Sequence, residues 1–406
     1  MALCGKKRRD DRFGLAFWIK RKYLWGYFFH SKMEKEDCNR KTCSVLRKGI
    51  VIKMVTLKEI AKECNVSPTT VSNILNGKPK VGEETKARVL EVIDRRGYRP
   101  NYIAQGLRKQ RTKTIGIIAE DIAQFTTPEM VEGIMSFCEE RGYRTIVKNL
   151  RLYARWSDSW FGNENSYHSI LDPAMKELDS IMVDGIIYIA GHARLIHCFP
   201  EDFKIPAVMA YAFDSNPKIP SVAIDDKKAA YEMVQYIISK GHRKIGVIGG
   251  KADNIHTQQR LLGYQKALFE NRILYNPEWI YYAQWDKNSA YQKAKELLKT
   301  DVTAVFCMSD RMAGGVYQYL AENGLHAGKD VAVAGFDDQV IAEYFVPGLT
   351  TMALPLKKIG HTSAELLLRQ IEEDDKEKTE DTQQTQQTRI MIPCTFIERK
   401  SVQIIG

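Results

Sequence analysis

The chain has 406 residues, a mean hydropathy of −0.34 and a formal net charge of +10, and its length suits more than one domain. An apolar stretch near the amino terminus, residues 13–29, is interrupted by Lys20, Arg21 and Lys22. It is therefore too short and too charged to span a bilayer. No small-residue cleavage site follows an apolar core, which argues against a secretory signal peptide. These features argue against a membrane receptor or a secreted protein and favour a cytoplasmic one.

The positive charge is confined to the amino-terminal part of the chain. Residues 1–53 carry a net charge of +10, residues 54–113 carry +7, and the rest carries −7. A basic end on an acidic body concentrates the attraction for phosphate at that end and keeps the body away from polyanions. The distribution favours nucleic acid as the partner of the amino-terminal part.

Residues 1–53 show no helical or strand period that extends over ten residues. One interpretation is an extra basic arm that adds nonspecific affinity for DNA. The other is that the tract is disordered or not translated, with Met54 as the initiator directly before the first structural signal. Cys38 and Cys43 lie in this tract, but their spacing is a poor zinc signal without further ligands. We expect a chain that lacks residues 1–53 to fold.

The sequence of residues 56–96 predicts three short helices. Thr56 and Glu59 form a capping box at the start of the first helix, and Ser67 followed by Pro68 begins the second. The second helix buries an apolar stripe and directs small polar side chains outward: Thr69, Thr70, Ser72 and Asn73. Such a pair of helices predicts a helix-turn-helix whose second helix enters the major groove. The alternative is a three-helix bundle whose polar face is only solvated.

A further short helix is predicted at residues 101–108, after Pro100. It carries Ala104 and Leu107 on one side. A basic run follows: Arg108, Lys109, Arg111 and Lys113. An exposed Leu beside basic residues suits the minor groove, where an apolar wedge unstacks a base step. The alternative is a basic tether without a groove contact.

From residue 113 onward, short apolar runs alternate with amphipathic helices. The predicted strands are 114–119, 144–147, 185–189, 207–210, 221–224, 244–248, 279–282, 304–307 and 331–335, with a last one within 389–402. The predicted helices are 128–141, 226–240, 257–271, 288–299, 310–323 and 357–373. Continuous apolar strands that alternate with helices predict an α/β fold of doubly wound parallel sheets. About 290 residues are too many for one such sheet, so we expect two lobes.

Ordered motifs along the chain make a family resemblance specific. They are KTIGIIAEDI at 113–122, VDGIIYI at 183–189, KGHRKIGVIGG at 240–250, QRLLGYQKAL at 259–268, AVFCMSD at 304–310, DVAVAGFDD at 330–338 and PGLTTM at 347–352. With the helix-turn-helix pattern, the chain from residue 55 to about residue 402 resembles the LacI/GalR (lactose-repressor) family of bacterial transcriptional regulators. The family usually begins where Met54 stands.

The resemblance implies a domain organisation. Residues 54–100 form the helix-turn-helix domain, and residues 101–113 form a hinge helix and linker. Residues 114–402 form a periplasmic-binding-protein-like domain for effector binding and dimerisation. Lobe one is expected at residues 114–213 and about 339–356, and lobe two at residues 214–338 and about 357–402, joined by three crossovers.

The resemblance also implies partners: a double-stranded DNA operator, a second copy of the chain, and a small carbohydrate-like effector in the cleft. Thr69 and Asn73 are expected to read base edges. Other residues are expected to hold phosphates or position the helix: Thr56, Ser67, Thr70, Ser72, Asn76 and Asn101. Ala104 and Leu107 are expected in the minor groove, where Leu107→Gly should lower specific affinity more than nonspecific affinity.

Three residues at strand ends or helix starts are expected to bind the effector: Arg260, Trp285 and Asp310. Asp310 and Arg260 are expected to face each other, with Trp285 as one wall. A polyol needs such fixed donors and acceptors, and its C–H faces need a flat apolar wall. The alternatives are that Asp310 only caps a helix and that Trp285 is a core residue.

Two segments depart from the family. Residues 149–175 are crowded with aromatic side chains, and they form either a loop of the cleft or dimer that alters effector choice, or a surface loop anchored on lobe one. Residues 372–388 are acidic, rich in Gln and Thr and free of apolar residues, so they are expected to be disordered.

The sequence gives little evidence of a catalytic function. The sequence has no GxSxG, HExxH or GxxxxGK[ST] pattern, so we expect neither an enzyme nor a cofactor. Single cysteines among apolar neighbours are typical of reduced, buried thiols: Cys64, Cys138, Cys198, Cys307 and Cys394. The sequence therefore predicts a cytoplasmic, dimeric repressor. The alternatives are a sugar-binding receptor without a DNA role and a regulator that answers to a phosphorylated metabolite or a protein partner.

Overall fold

A computed structural model describes residues 55–75, 77, 81–98, 111–157, 159–161, 163–377 and 389–405. It divides the chain into two compact units, Met1–Pro100 and Asn101–Gly406, which we call the headpiece and the body. Several expectations lie outside the described residues: those for residues 1–53, Asn76, Asn101, Ala104, Leu107 and 378–388. Among the described residues, no helix has the length and apolar character needed to cross a membrane.

The headpiece contains the three predicted helices, Leu57–Glu63 (α1), Pro68–Leu75 (α2) and Glu83–Arg96 (α3). The capping box is confirmed, because the Thr56 hydroxyl accepts from the Glu59 N–H and the Glu59 carboxylate accepts from the Thr56 N–H at 2.7 Å. The helices pack around a small apolar core: Ile60, Ala61, Cys64, Val71, Ile74, Val89, Val92 and Ile93.

The strands of the body follow the predicted apolar runs. In chain order they are β1 (Thr114–Ala119), β2 (Arg144–Asn149), β3 (Gly185–Ile189), β4 (Leu195–Ile196), β5 (Ala207–Ala210), β6 (Phe213–Asp214), β7 (Ser221–Ile224), β8 (Ile245–Gly249), β9 (Ile280–Tyr282), β10 (Ala304–Cys307), β11 (Ala332–Ala334), β12 (Thr351–Ala353), β13 (Arg389–Ile392) and β14 (Thr395–Ile397). The single strand predicted within 389–402 is two strands, β13 and β14, separated at Pro393. The short strands β4, β6 and β12 escaped prediction because two or three residues show no period.

Among the helices that the structure describes in the body, six lie at their predicted positions and three were not predicted. They are α4 (Thr127–Glu140), α5 (Leu152–Trp156), α6 (Glu164–Ser180), α7 (Asp226–Ser239), α8 (Ile255–Glu270), α9 (Lys287–Leu297), α10 (Asp310–Glu322), α11 (Ile341–Tyr344) and α12 (Leu356–Glu377), with a 3₁₀ turn at Pro277–Trp279. The sequence missed the short helices α5 and α11, and it missed α6, which contains Pro173 in its interior. It also predicted disorder from residue 372, where α12 continues to Glu377.

The strands form two main parallel sheets, which confirms the predicted α/β architecture. Lobe one has the order β13-β7-β5-β3-β1-β2, and lobe two has the order β11-β10-β8-β9. Helices α4 and α12 cross closely in lobe one. A Cβ on Gly133 would lie 2.1 Å from the Lys357 carbonyl oxygen, and one on Gly360 would lie 2.0 Å from that of Met130. Only glycine permits this approach of the two backbones.

The lobe boundaries expected from the sequence are wrong in four segments. Strand β7 lies between β5 and β13 in the sheet of lobe one, so lobe one continues to Ile224 rather than ending at residue 213. Helix α12 packs on α4 and beside β3, β5 and β7, so it also belongs to lobe one. Strand β13 pairs with β7 and therefore belongs to lobe one rather than to lobe two. Residues 339–354 belong to lobe two, where β12 pairs with β14 and Ala353 bridges to Asp337. An apolar strand has the same pattern in either sheet, so the pattern does not reveal which sheet it joins.

Candidate effector cleft and nucleic-acid interface

A cavity of about 330 Å³ lies between the two lobes of the body. Loops that follow the carboxyl ends of the parallel strands form it, as expected for an α/β ligand site. Lobe one lines it with Gln124, Phe125, Thr126, Tyr153, Ser157, His192 and Tyr211. Lobe two lines it with His256, Arg260, Gln284, Trp285, Asp286, Ser309, Arg311, Asp337 and Gln339.

Arg260 is a buried cation, 2% exposed, that lines this cavity. Its Nε donates to Asp226 Oδ1 at 2.7 Å, its Nη1 lies 3.7 Å from Asp337 Oδ1, and Nη1 also donates to the Met308 carbonyl. Burial opposes the charge of Arg260, but the two carboxylates raise its pKa above the ordinary value. Burial likewise opposes the charge of Asp226, whose pKa His256 and Arg260 nevertheless lower. Arg260 therefore stays charged and oriented.

Trp285 forms one wall of the cavity, next to Arg260. Its backbone adopts the left-handed conformation with φ 61°. The indole lies against Gly250, where an added Cβ would come within 1.9 Å of the ring. Across the cleft, the His192 ring stacks on Trp285 with 6.5 Å between the centroids. The sequence therefore placed Arg260 and Trp285 at the cavity that the structure contains.

Asp310 is not where the sequence predicted it, and the expected Arg260–Asp310 pair is replaced by pairs of Arg260 with Asp226 and Asp337. Asp310 is fully buried behind the cavity wall and does not line the cavity. Its carboxylate accepts from the Gln339 N–H and from the Thr351 hydroxyl, both at 2.7 Å. It is not the helix cap either, because the N-cap of α10 is Ser309. Asp310 turns inward because these two donors lie behind the wall.

Asp337 occupies the position in the cavity that the sequence had given to Asp310. It follows β11 in the motif DVAVAGFDD, with φ 111°, a backbone conformation that L residues rarely adopt. Burial raises the pKa of Asp337 to about 7, although Arg260 lowers it. The sequence did contain a signal that could have identified Asp337 as a cavity residue, because Asp337 follows a buried strand at the same sheet edge as Asp310.

The raised pKa of Asp337 predicts a pH-dependent stability that Asp337→Asn removes. Between the ordinary value of 3.8 and about 7, the folded state retains a proton that the unfolded state has released. Wild-type stability therefore falls as the pH rises through this window. We therefore compare the free energies of unfolding of Asp337→Asn and wild type at two pH values. Relative to wild type, the variant should be more stable at about pH 8 than at about pH 4, by about 2–4 kcal/mol. Urea unfolding at both pH values measures it, and an unchanged difference contradicts the prediction.

The aromatic-rich segment is both anchored on lobe one and part of the cavity wall. Trp160 and Phe161 stack on the Arg194 guanidinium at 4.3 and 4.6 Å from their ring centroids. Arg194 in turn pairs with the fully buried carboxylate of Glu120. From this anchored segment, α5 and the turn after it bring Tyr153 and Ser157 to the cavity. The segment is therefore anchored on lobe one, as one interpretation expected, and it also lines the cavity. Its influence on effector choice stays a prediction.

The outward face of α2 carries the side chains expected to contact DNA. Val71 and Ile74 are buried in the headpiece core, and Thr69 is exposed. Thr70, Ser72 and Asn73 are partly exposed. Ser67 accepts from the Thr70 N–H at 3.0 Å, and Thr56 sits in its capping box. Ser67 and Thr56 thus fix the starts of α2 and α1, while the α2 face remains accessible.

Comparison with known proteins places both units in one family. Residues 56–101 match the model of bacterial regulatory proteins of the lacI family, and residues 234–402 match the periplasmic binding protein-like domain. The chain is 33% identical over 328 residues to the HTH-type transcriptional regulator RegA of Clostridium saccharobutylicum, covering 80% of this chain and 94% of the relative. It is 32% identical over 326 residues to catabolite control protein A of Priestia megaterium, covering 79% and 93%. The chain belongs to the LacI family.

Solved structures of bacterial-type transcriptional regulators such as the lac repressor share this fold. The lac repressor dimer bound to operator and the anti-inducer ONPF matches with a TM-score of 0.68 at 23% identity, over 86% of this chain and 100% of that chain. The complex of transcriptional regulator CelR with cellobiose matches with a TM-score of 0.55 at 24% identity, over 86% and 99%. These likenesses confirm the helix-turn-helix headpiece and the periplasmic-binding-protein-like body.

As a LacI-family member, the chain is a DNA-binding transcriptional regulator of the effector-controlled kind, and its family members are regulators rather than enzymes. Sequence reasoning found two of the residues that line its cavity and missed the others. The charged or titratable residues that it missed there are Tyr153, His192, Tyr211, His256, Asp286, Arg311 and Asp337. Most of these residues lie in loops, where the sequence has no periodic apolar pattern. Only the tertiary fold brings their side chains together at the cavity.

Proposed function

We propose that this regulator is a cytoplasmic, homodimeric repressor whose operator affinity is controlled by a small, neutral, carbohydrate-like effector in the cleft. The observation that carries the effector class is Arg260, a buried cation neutralised by Asp226 and Asp337 beside the Trp285 ring. The operator-bound lac repressor in the similar structure is a dimer, which supports the same assembly here. The cytoplasmic location follows from the DNA partner.

A neutral polyol suits this cavity for reasons of charge and shape. The Arg260 charge is already balanced by carboxylates, so a second anion would add to them at close range. Asp337 offers an acceptor for ligand hydroxyls, and Gln284 and Gln339 offer both donors and acceptors. The Trp285 ring offers a flat apolar wall for the C–H face of a sugar.

A phosphorylated metabolite is a second candidate, and Arg311 is the observation that favours it. Its side chain is exposed and lines the cavity. Its guanidinium carbon lies 5.9 Å from the centroid of the Phe125 ring. Asp337 and Asp338 form ion pairs with other cations, Arg260 and Arg399. A phosphate that reached Arg311 at the mouth of the cavity would avoid the buried carboxylates.

A thermal-shift screen of the full chain separates the two candidates. Neutral mono- and disaccharides and their phosphates are tested in parallel on wild type and on Trp285→Ala. A ligand at a hundred times its Kd stabilises the folded state by about 2.7 kcal/mol and must raise the melting temperature. We expect a neutral sugar to shift wild type but not Trp285→Ala. Shifts with sugar phosphates alone, lost in Arg311→Ala, would replace the first candidate with the second.

On DNA, we propose that α2 lies in the major groove, with Thr69 and Asn73 at base edges. We propose that the other residues named for DNA binding contact phosphates or position the helices: Thr56, Ser67, Thr70, Ser72, Asn76 and Asn101. Ala104 and Leu107 are proposed to enter the minor groove. The effector would act by changing the angle between the lobes and so the separation of the two hinge helices of the dimer. The accessible α2 face supports the groove contact.

Asn73→Ala is expected to relax operator preference at one position by about 1–3 kcal/mol, because an amide pairs with both the N6 and the N7 of adenine. Selection from a randomised operator library measures the preference at each position. Glu91→Ala, an exposed change on α3, is the control and should select the wild-type operator. An Asn73→Ala profile identical to wild type at every position would remove Asn73 from the base-reading set.

A further inference from the structure

A single carboxylate holds the last residues of the linker that leads from the headpiece to lobe one. This carboxylate belongs to Asp184, which lies in the loop before β3 and is 7% exposed. Its Oδ1 accepts from the Thr112 N–H at 2.8 Å and from the Thr112 hydroxyl at 3.0 Å. Its Oδ2 accepts from the Lys113 N–H at 2.9 Å. Both carboxylate oxygens of Asp184 are therefore bound to the linker.

The backbone of the linker is shaped to fit this carboxylate. Lys113 has φ 48°, a left-handed conformation that a residue with a side chain keeps only where its surroundings enforce it. The turn directs two successive N–H groups, those of Thr112 and Lys113, to the same carboxylate. Successive N–H groups in such a turn form a concave binding site for an anion. The loop before β3 is turned in the same way, since Met182 has φ 55° and its carbonyl accepts from the Thr112 hydroxyl at 2.7 Å.

Residues 111–113 are also held from two other sides. Arg144, the first residue of β2, donates from Nη2 to the Thr112 carbonyl at 3.2 Å. Arg111 donates from Nη2 to the Ile371 carbonyl of α12 at 2.9 Å. The loop before β3, strand β2 and helix α12 all belong to lobe one. A change of the angle between the lobes therefore reaches these linker residues through lobe one.

We infer that Asp184 is a positioning residue that fixes the point at which the linker leaves lobe one. In a dimer, two such points determine the separation at which the headpieces are presented to the two half-sites of an operator. The spacing of half-sites that a dimer accepts follows from this geometry. The inference rests on the proposed function, because it takes the regulator to be a homodimer. It assigns to Asp184 a role in operator choice without any contact with DNA.

The effect on affinity comes from the freedom of the linker backbone. While Asp184 holds residues 112 and 113, their backbone is ordered before DNA binds, and binding costs no further entropy there. Without the carboxylate these residues are released, and fixing even one of them again lowers the operator affinity about tenfold. Release of residues 111–113 also lengthens each linker by about 10 Å, which is about three base-pair steps of duplex. Loss of Asp184 should therefore weaken binding at the correct spacing and reduce the penalty for a wrong spacing.

Operator binding by full-length Asp184→Ala tests this inference. The probes are the operator that wild type selects from a randomised library, the same DNA with base pairs inserted between its half-sites, and a DNA with one half-site. We expect Asp184→Ala to bind the selected operator about tenfold more weakly than wild type does. Both proteins should bind the DNA with one half-site equally, because a single headpiece needs no fixed partner. The preference for the selected spacing over the expanded one should therefore fall at least tenfold.

Leu171→Ala is the matched control for lost stability, because Leu171 is fully buried on α6 in the core of lobe one. It should lower the melting temperature and keep the wild-type preference for spacing. Asp184→Asn retains one acceptor oxygen and should give a weaker form of the Asp184→Ala effect, so the comparison stands even where the alanine variant does not fold. All affinities are measured below the melting temperature of the least stable folded variant.

A wild-type preference for spacing in the Asp184 variants overturns the inference. An equal loss in Leu171→Ala also overturns it, because the effect would then follow stability rather than the linker. Without DNA, hydrogen exchange at the Thr112 and Lys113 amides should quicken at least tenfold in Asp184→Ala, and unchanged exchange would show that Asp184 does not hold the linker. If wild type selects DNA with one half-site, the proposed homodimer is wrong, while the exchange measurement still decides whether Asp184 fixes the linker to lobe one.

Discussion

Replacing Arg260 by Met is expected to lower the free energy of unfolding by about 3–5 kcal/mol near neutral pH. Met fills much of the same space, but it leaves the carboxylates of Asp226 and Asp337 buried without their cation. It also leaves the Met308 carbonyl without its donor. The loss should shrink as the pH falls, because carboxylates that lack a cation take up protons at a raised pKa. Urea unfolding of the full chain at several pH values measures both effects.

Two further variants make this result specific to the buried network. Lys266→Met, on the exposed face of the same helix, breaks a surface pair with Glu270 and an exposed contact with the Tyr231 ring, and should cost less than about 1 kcal/mol. Arg260→Lys keeps the charge but not the planar fork that reaches two carboxylates, so its cost should lie between the two. If Arg260→Met stays within about 1 kcal/mol of wild type, the network does not hold lobe two together and the charge argument for a neutral effector fails with it.

The elements of the body could be predicted because their patterns are local. The apolar run of β1 is buried at every position, and α4 and α7 each bury one stripe, so their periods are visible in the sequence. Membership of a sheet is not local. Strand β7 has the same apolar pattern as β8, and only its hydrogen bonds to β5 and β13 assign it to lobe one. The lobe boundaries therefore needed the structure.

The candidate site shows the same division between local and tertiary information. Arg260 and Trp285 could be placed because each stands in a motif with a recognisable position, after a strand or near a helix start. The choice between Asp310 and Asp337 could not be made, since both follow buried strands at one sheet edge. The side chains diverge because the donors that capture Asp310 come from residues 339 and 351, far away in the sequence. His256 was missed because its acceptor role depends on a backbone N–H of the other lobe.

The position of Asp310 behind the cavity reverses what the sequence predicts for Asp310→Ala. With Asp310 in contact with the ligand, the variant would respond to effector only at concentrations roughly ten- to a hundredfold higher, or not at all. Its observed contacts predict the opposite. Removal of the carboxylate leaves the buried Thr351 hydroxyl and the partly buried Gln339 N–H without acceptors. We expect the free energy of unfolding to fall by about 2–4 kcal/mol, because each orphaned donor costs about 1–3 kcal/mol.

Asp310→Asn separates hydrogen bonding from charge at this position. Burial, together with the charge of Asp337, raises the pKa of Asp310 well above its ordinary value, so a neutral side chain of the same shape suits the site. An amide oxygen still accepts from one of the two donors, and Asp310→Asn should retain most of the stability that Asp310→Ala loses. Gln339 lines the cavity and depends on Asp310 for its backbone position, so effector affinity should weaken less than about tenfold in the folded fraction of either variant. Melting temperature and effector affinity measured on the same two proteins decide the point. A stable Asp310→Ala with a hundredfold weaker effector would return Asp310 to the binding site.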